Sequence, residues 1–429
     1  MSVGLQRLRD EAEVIRRGAI DKGEDPALVD RALVLDERRR ELLGQGDALK
    51  AERNSASKSI GAAVRGGADP GSGAVADLKR ASTEAGERIA AIDAELAALE
   101  AELDDAMLRI PNPADPDVPV GGEEANAVVR TWGDPLSHEG RRPHWEIGEA
   151  LGIIDLARGA KITGSGWPVY IGAGSALQRA LISWFLDVHT RENGMTEVWP
   201  PALVNADSAR GTGQIPDKED QMYVVTRDDL YLVPTAEVPV TNLHRDEIFE
   251  VSRLPLRYAA YSPCFRREAG AAGKETRGIL RVHQFDKVEM VAFERPADSN
   301  AALEWLTQRA EILLQRLGLA YRVLLMATRE MGFVQAKKYD LEVWAPGAER
   351  WLEVSSVSNF RDYQARRMAI RHRPEPGGRP ELVHTLNGSA LALARTVAAL
   401  LETHQQPDGS VAVPEPLQPY LGGLSRLTR

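Results

Sequence analysis

A single cysteine, Cys264, occurs among 429 residues. That excludes an intramolecular disulfide and any zinc site built from several thiolates, and it fits a reducing compartment. No apolar run approaches the length needed to span a bilayer. The N-terminal stretch MSVGLQRLRDEAEVIRRG mixes charge with isolated apolar residues, unlike the continuous apolar segment of an export signal. A cytoplasmic protein is therefore expected. Neither a GxxxxGK[ST] loop nor a GxGxxG fingerprint follows a predicted strand, so the common phosphate cradles at helix starts are not indicated. The eight histidines show no metal-ligand spacing. Aromatic residues are missing from about 27–110, where Ala, Leu, Glu and Arg dominate and favour long helices.

What is present divides the chain in two. Hydrophobic residues make up 43% and charged residues 27%, ordinary for globular proteins, and the length exceeds what one core usually organises. In residues 1–110, Leu78, Ala85, Ile92 and Leu99 recur every seven residues. Ser82, Ile89, Leu96 and Leu103 interleave with them, giving the spacing of a coiled-coil seam. Leu28, Leu35, Leu42, Leu49, Ala56 and Ala63 keep the same period, and RGGADPGSGA between the halves is a turn. Two antiparallel helices are predicted, an arm of about 50 Å. The net charge of −10 argues against a protein that coats nucleic acid. Locally the sign reverses. Arg38, Arg39, Arg40, Lys50, Arg53, Lys58 and Arg65 outnumber Glu41, Asp47 and Glu52, while the returning helix turns acidic only from Glu84 onward. The tip can meet phosphates.

Four prolines in PNPADPDVPVGGEE, residues 111–124, forbid helix and mark a linker over 111–135. From 136 to 429 short β-branched stretches such as MYVV, LYLV and YRVLL run between helical ones. The fold class is α+β, with an antiparallel β-sheet flanked by helices. The densest charge lies in SPCFRREAGAAGKETRGILRVHQFDKVEM, 262–290, where Arg266, Arg267, Lys274, Arg277, Arg281 and Lys287 surround Glu268, Glu275 and Glu289. Phe265, Phe285, Val288 and Met290 interleave with them as on strands with two unlike faces. Such a face can present a guanidinium that clamps phosphate with two hydrogen bonds.

Phe265-Arg266-Arg267-Glu268, followed by a loop and by Arg281, Phe285 and Glu289 at four-residue intervals, resembles motif 2 of class II aminoacyl-tRNA synthetases. Gly194-Met195-Thr196-Glu197-Val198-Trp199-Pro200-Pro201 resembles motif 1, and Leu386-Asn387-Gly388-Ser389 through Arg395 is similar to motif 3. PTAEVP at 234–239, YDLEVW at 339–344, EVSSVSNFRDYQARR at 353–367 and DGSVAVPEPLQPY at 408–420 narrow the resemblance to seryl-tRNA synthetases, over essentially the whole chain.

The resemblance implies a ligase that uses ATP and Mg2+ to join serine to tRNA(Ser), and to tRNA(Sec) where that tRNA exists. It also implies a homodimer built through motif 1 and an N-terminal arm that grips tRNA through Lys50, Arg53, Lys58 and Arg65. Arg266 would clamp the α-phosphate and Arg395 the far phosphates, these two being catalytic. Glu268 would meet the adenine edge or a nearby ATP group, and Phe285 would stack on the ring. Further ATP contacts fall on Arg267, Val282, Glu353, Val354, Ser355 and Ser356, with Glu353 and Ser356 the magnesium-linked pair. Serine would be held by Thr235, Ala236, Glu237, Glu289 and Ser389. A site built for a hydroxyl rejects alanine, because its polar groups would be left unpaired. Positioning and charge stabilisation suffice for this chemistry, so Cys264 and His283 are read as structural. Ala390, Ala392 and Ala394 follow Gly388, so the motif 3 glycines are partly replaced and an alanine methyl would narrow the approach to ATP; Val357 stands at a usually small polar or sulfur position. An amino acid:carrier-protein ligase would lack the arm. A non-catalytic RNA-binding paralogue would lose Arg266, Glu268 or Arg395. A second synthetase serving a specialised pathway or inhibitor resistance would share every motif.

Overall fold

The computed structural model describes residues 3–69, 71, 73–269 and 277–429. Lys274 and Glu275 of the charged stretch lie outside the described residues. The chain divides into two compact units, one of Met1–Ile20 and Glu24–Ile110, the other of Asp21–Gly23 and Pro111–Arg429.

In the first unit α1 (Leu5–Asp10) and α2 (Ala12–Lys22) precede two long helices, α3 (Ala27–Arg65) and α4 (Gly73–Leu108). Their 39 and 36 residues correspond to about 58 and 54 Å of helix. The heptad stripe on α4 is the buried one: Val75, Ala85, Ile89 and Leu103 are buried, and Leu78, Ser82, Ile92, Leu96 and Leu99 are partly buried. On α3, Leu42, Gly46 and Leu49 face it. Nearer the start of α3 the deepest residues are Val29, Ala32 and Asp36 rather than Leu28 and Leu35. The seam is rotated there because α1 covers a different face, with Arg9 donating to both Asp36 oxygens at 2.6 and 2.7 Å. Arg31–Glu102, Arg38–Glu95 and Arg39–Glu100 pair across the hairpin at 2.6, 2.8 and 2.9 Å. Exposed pairs of this kind stabilise little, but they consume basic charge in the first third of α3. Lys50 stands 3.7 Å from Asp93. Arg53, Lys58 and Arg65 are exposed and form no ion pair among the described residues.

The second unit is built on eight strands: β1 (Ala127–Trp132), β2 (Thr196–Val198), β3 (Leu256–Phe265), β4 (Gln284–Glu294), β5 (Tyr321–Leu325), β6 (Lys337–Ala345), β7 (Arg350–Asn359) and β8 (His384–Ala392). Their order is β1-β5-β6-β7-β8-β4-β3-β2. Every neighbouring pair is antiparallel except β2 with β3, which is parallel. β1 lies within the stretch read from sequence as a linker; its alternation is too short and too exposed to stand out among the prolines. Helices α5 (Ala173–Asp187), α7 (Ser299–Arg316) and α9 (Leu393–His404) bury their apolar stripes on one face. Shorter α6 (Glu237–Asn242) and α8 (Tyr363–Arg367) contribute to a second apolar cluster with Phe249, Val291 and Phe293.

Strand periodicity sorts the residues between these faces. On β4, Val288, Met290 and Ala292 enter the large core, while Lys287 turns to the opposite face and lines a cavity there. β8 repeats the pattern, with Leu386 and Ala390 inward and Asn387 and Ser389 outward. On β7 the register shifts, so that Ser355 opposes Leu341 and Glu353 opposes Glu342, leaving Val354 as the extra residue. This bulge lets Glu353, Ser355 and Ser356 border one cavity although they do not alternate. Val357 is fully buried in the core, so its bulk does not touch the cavity. Ala390 is likewise in the core, and of the three alanines only Ala392 and Ala394 border the cavity. Among the described residues no helix is long and apolar enough to cross a membrane.

Candidate active site

A cavity of about 510 Å³ opens over β4, β7 and β8. The β3–β4 hairpin supplies one wall, Phe265 pairing with Gln284 and Cys264 with Phe285. Just beyond the ladder, Arg266 N–H donates to His283 O at 2.9 Å, and His283 N–H donates to Gly166 O at 2.9 Å. The His283 ring stacks on Trp167 at 5.6 Å. His283 thus braces Arg266 from behind, a packing and hydrogen-bonding role. The Arg266 guanidinium stands 5.1 Å from the Phe285 ring centroid, leaving a cation and an aromatic face beside each other at the cavity. Glu268 has φ 50 and pairs with Arg281. Arg267 does not join this group. It donates through Nη1 to Asp220 O and through its backbone N–H to Gln221 O, both at 2.9 Å, so it fastens the 220–221 turn instead of lining the cavity.

Arg395, in the first turn of α9, closes the opposite side. Its Nε donates to Leu280 O and its Nη1 to Glu353 O, each at 3.0 Å, with Glu353 Oε2 at 3.5 Å. Burial pushes the Glu353 carboxyl up, but Lys338, Arg395, Arg266 and Lys287 together hold it below the ordinary carboxylate range. It is an anion in a ring of cations. Asp340, behind it, is shifted up by burial and pairs with Lys338 at 2.9 Å. Glu353 and Ser356 present two oxygens to the cavity. Among the described residues no group of three His, Cys, Asp or Glu side chains is placed to hold a metal. A hard cation here would draw its remaining oxygens from phosphate and water, as magnesium does.

A deeper recess is built from buried carboxylates. Gln364 Nε2 donates to Glu237 Oε1 at 2.6 Å, and Asn387 Nδ2 reaches Glu237 Oε2 at 2.9 Å and Glu289 Oε1 at 3.1 Å. Lys287 pairs with Glu289 and donates to Thr235 Oγ1 at 2.8 Å, which in turn donates to Glu289 Oε2 at 3.3 Å. Thr235, Glu237 and Ser389 line the cavity, whereas Glu289 sits one layer behind Lys287, Thr235 and Asn387. Ala236 packs into the apolar cluster below, so its side chain is structural. Lys287, Asn387 and Gln364 lie in stretches noted from sequence but were not assigned to the site. Strand alternation carries the signal for the first two, since Lys287 shares a face with Glu289 and Asn387 with Ser389. Gln364 had none.

Burial, followed by the neighbouring Glu289 charge, raises the Glu237 carboxyl to about 7 from its ordinary 4.5. The folded chain therefore holds a proton that the unfolded chain releases. The stability contributed is complete below about pH 4.5 and is lost as the pH rises through about 7. Glu237→Gln removes the titration. Its melting temperature relative to the parent protein is expected to climb between pH 5 and pH 8, and a difference that stays constant across that range would contradict the assignment.

Comparison with known proteins adds a second line. Residues 4–114 match the seryl-tRNA synthetase N-terminal domain, and residues 223–404 match the tRNA synthetase class II core domain (G, H, P, S and T). The serine–tRNA ligase of Gemmatimonas aurantiaca is 50% identical over 97% of this chain and 98% of its own length. That of Thermomicrobium roseum is 51% identical over 99% and 94%. Among solved structures, the seryl-tRNA synthetase of Pyrococcus horikoshii complexed with ATP superposes with a TM-score of 0.92 at 37% identity, covering 99% of both chains. The cytoplasmic enzyme of Naegleria fowleri in complex with AMP gives 0.86 at 29% identity over 97% and 96%.

Proposed function

Since this chain belongs to the seryl-tRNA synthetase family, we propose that its cavity holds ATP between Arg266, Phe285 and Arg395 and holds serine in the recess beneath. The chain is a serine–tRNA ligase. A serine carboxylate oxygen attacks the α-phosphorus of ATP, the bond to the β-phosphate oxygen breaks, and pyrophosphate leaves. A terminal ribose hydroxyl of tRNA then attacks the seryl carbonyl, loses its proton, and displaces AMP.

Arg266, braced by His283 and set against Phe285, places a fork of donors where α-phosphate charge accumulates while the ring carries adenine. Glu268 meets the adenine edge. Val282, Val354 and Ser355 complete the wall, and Arg395 takes the far phosphates. Arg267 acts on this site only by fastening the 220–221 turn. Glu353 and Ser356 are the oxygens suited to a magnesium ion, which would neutralise phosphate charge when bound. Thr235, Glu237 and Ser389 face serine directly, with Glu289 setting the charge of the recess through Lys287 and Asn387.

The tRNA is tRNA(Ser), with tRNA(Sec) also charged where it is made. It is gripped by the hairpin of residues 1–110, whose Arg53, Lys58 and Arg65 carry unspent charge. A homodimer is supported by edge strand β2 and by Trp199, which is 77% exposed immediately after it. Cytoplasmic residence follows from the substrates.

The observation that carries this reading is the placement of Arg266 over Phe285 and of Arg395 across one cavity from the Glu237 recess. ATP–pyrophosphate exchange with each proteinogenic amino acid, followed by charging of tRNA(Ser), tests it. Exchange that depends on serine is expected. Exchange driven by glycine or alanine, or transfer to a carrier protein in place of tRNA, would overturn it.

A further inference from the structure

Two ionisable side chains outside the three motifs, His144 and Glu402, are fully buried against each other. His144 Nδ1 lies 2.7 Å from Glu402 Oε1, and the His144 backbone N–H donates to the same oxygen at 2.9 Å. Glu402 Oε2 accepts from Gly347 N and Ala348 N, both at 2.9 Å. On the other edge of the imidazole, Nε2 accepts the Ile279 backbone N–H at 3.2 Å. Only a lone pair can receive an N–H, so Nε2 is unprotonated and Nδ1 carries the hydrogen given to Glu402. Glu402 thereby selects the tautomer that can hold Ile279.

Ile279 belongs to the segment that returns from the motif 2 loop. Gly278 before it has φ +68, and a Cβ there would stand 2.2 Å from His144 Nε2, so only glycine lets the backbone come this close. Arg277 lies 4.6 Å over the Trp145 ring. Leu280, next along, gives its carbonyl to Arg395 Nε, and Arg281 pairs with Glu268. A continuous path therefore runs from Glu402 through His144, Ile279 and Leu280 to Arg395. Its two ends lie on the same helix, α9, about two turns apart. Helix α9 grips one backbone segment directly through its first turn and through His144 near its last.

We propose that His144, oriented by Glu402, is a positioning residue for ATP: it fixes the Ile279–Leu280 backbone and through it the guanidinium of Arg395. His144 touches no substrate. The proposal rests on the reading that Arg395 holds ATP phosphates, and it explains why a neutral imidazole and a carboxylate are placed together in the core of this unit. A displacement of about 1 Å in a positioned charge is enough to weaken its contribution severely.

The test is steady-state ATP–pyrophosphate exchange on the full-length protein. Leaving the buried Ile279 N–H without its side-chain acceptor corresponds to a roughly tenfold or larger change in an equilibrium, here taken up by ATP affinity. His144→Ala is therefore expected to raise the KM for ATP about tenfold while that for serine stays within about twofold. His144→Gln puts an amide oxygen near the Nε2 position and restores most of the loss. His144→Asn reaches only toward Glu402 and does not. An unchanged ATP KM in His144→Ala, a parallel rise for ATP and serine, or an Asn variant as good as Gln would overturn the proposal. If His144→Ala does not fold, Gly278→Ala decides, since it drives a methyl group into the same contact. Its ATP KM rises if the proposal holds and remains at the parent value if it does not. Serine-dependent exchange by the unaltered protein separates the two levels: without it the ATP reading itself fails, whereas with it the variants judge His144 alone.

Discussion

Arg266→Ala is expected to lower kcat/KM for serine-dependent exchange by about three orders of magnitude, because it removes a preorganised cation from the point where phosphate charge develops. The fold is expected to notice little. Arg266 is exposed, forms no ion pair among the described residues, and its contact with Phe285 at 5.1 Å is a cation–π pair of the kind worth about 1 kcal/mol or less at an open site. Activity and stability therefore separate. Arg266→Lys keeps a positive charge on the same strand end but loses the planar fork, so it is expected to recover only part of the rate. Calorimetry beside exchange kinetics makes the comparison. A loss of less than tenfold, or one that tracks a collapse in melting temperature, would remove Arg266 from the role assigned to it.

Arg266 was legible from sequence because its signal is local: a Phe-Arg-Arg-Glu run leading out of one strand, and an aromatic returning on the next. The long helices were legible for a similar reason, since a seven-residue period and the absence of aromatics repeat over many turns. Both fail where a third element intervenes. The seam at the start of α3 shifts to Val29, Ala32 and Asp36 because α1 packs there, a contact that no periodicity within α3 can announce. Within the site, neighbours in sequence were assigned together, but the turn after β3 and the turn into α6 send adjacent side chains different ways. Arg267 points to a turn while Arg266 faces the cavity, and Ala236 enters an apolar cluster between Thr235 and Glu237. Ala390, read as an obstruction to ATP, and Val357, noted as unusual for its position, are core residues by strand parity, with the β7 bulge resetting the count. Gln364, His144 and Glu402 come from distant segments and act through hydrogen bonds formed only on folding, so their immediate sequence marked none of them for a site role, not even Gln364 inside the 353–367 run.

Reversing three unspent charges toward the end of α3, Arg53→Glu, Lys58→Glu and Arg65→Glu together, is expected to cut the kcat/KM for charging tRNA by about a hundredfold or more, while serine-dependent exchange stays unchanged. Arg31, Arg38 and Arg39 are already paired with acidic partners on α4, and Lys50 stands near Asp93. Positive potential available to an anionic partner is thus concentrated toward the end of α3, where Arg53, Lys58 and Arg65 are exposed. Glutamate is about as good a helix former as lysine or arginine, and none of the three sites lies among the buried residues of α3, so the hairpin is expected to remain helical by circular dichroism. Each phosphate contact removed should also flatten the salt dependence of tRNA binding, by about 0.9 in the log–log slope for a duplex partner. The split between the two half-reactions is the decisive feature. Exchange uses only the cavity of the second unit, whereas charging requires the nucleic acid to be held as well. Equal loss in both reactions would mean that the substitutions damage the catalytic unit, and undiminished charging would mean that tRNA is gripped elsewhere.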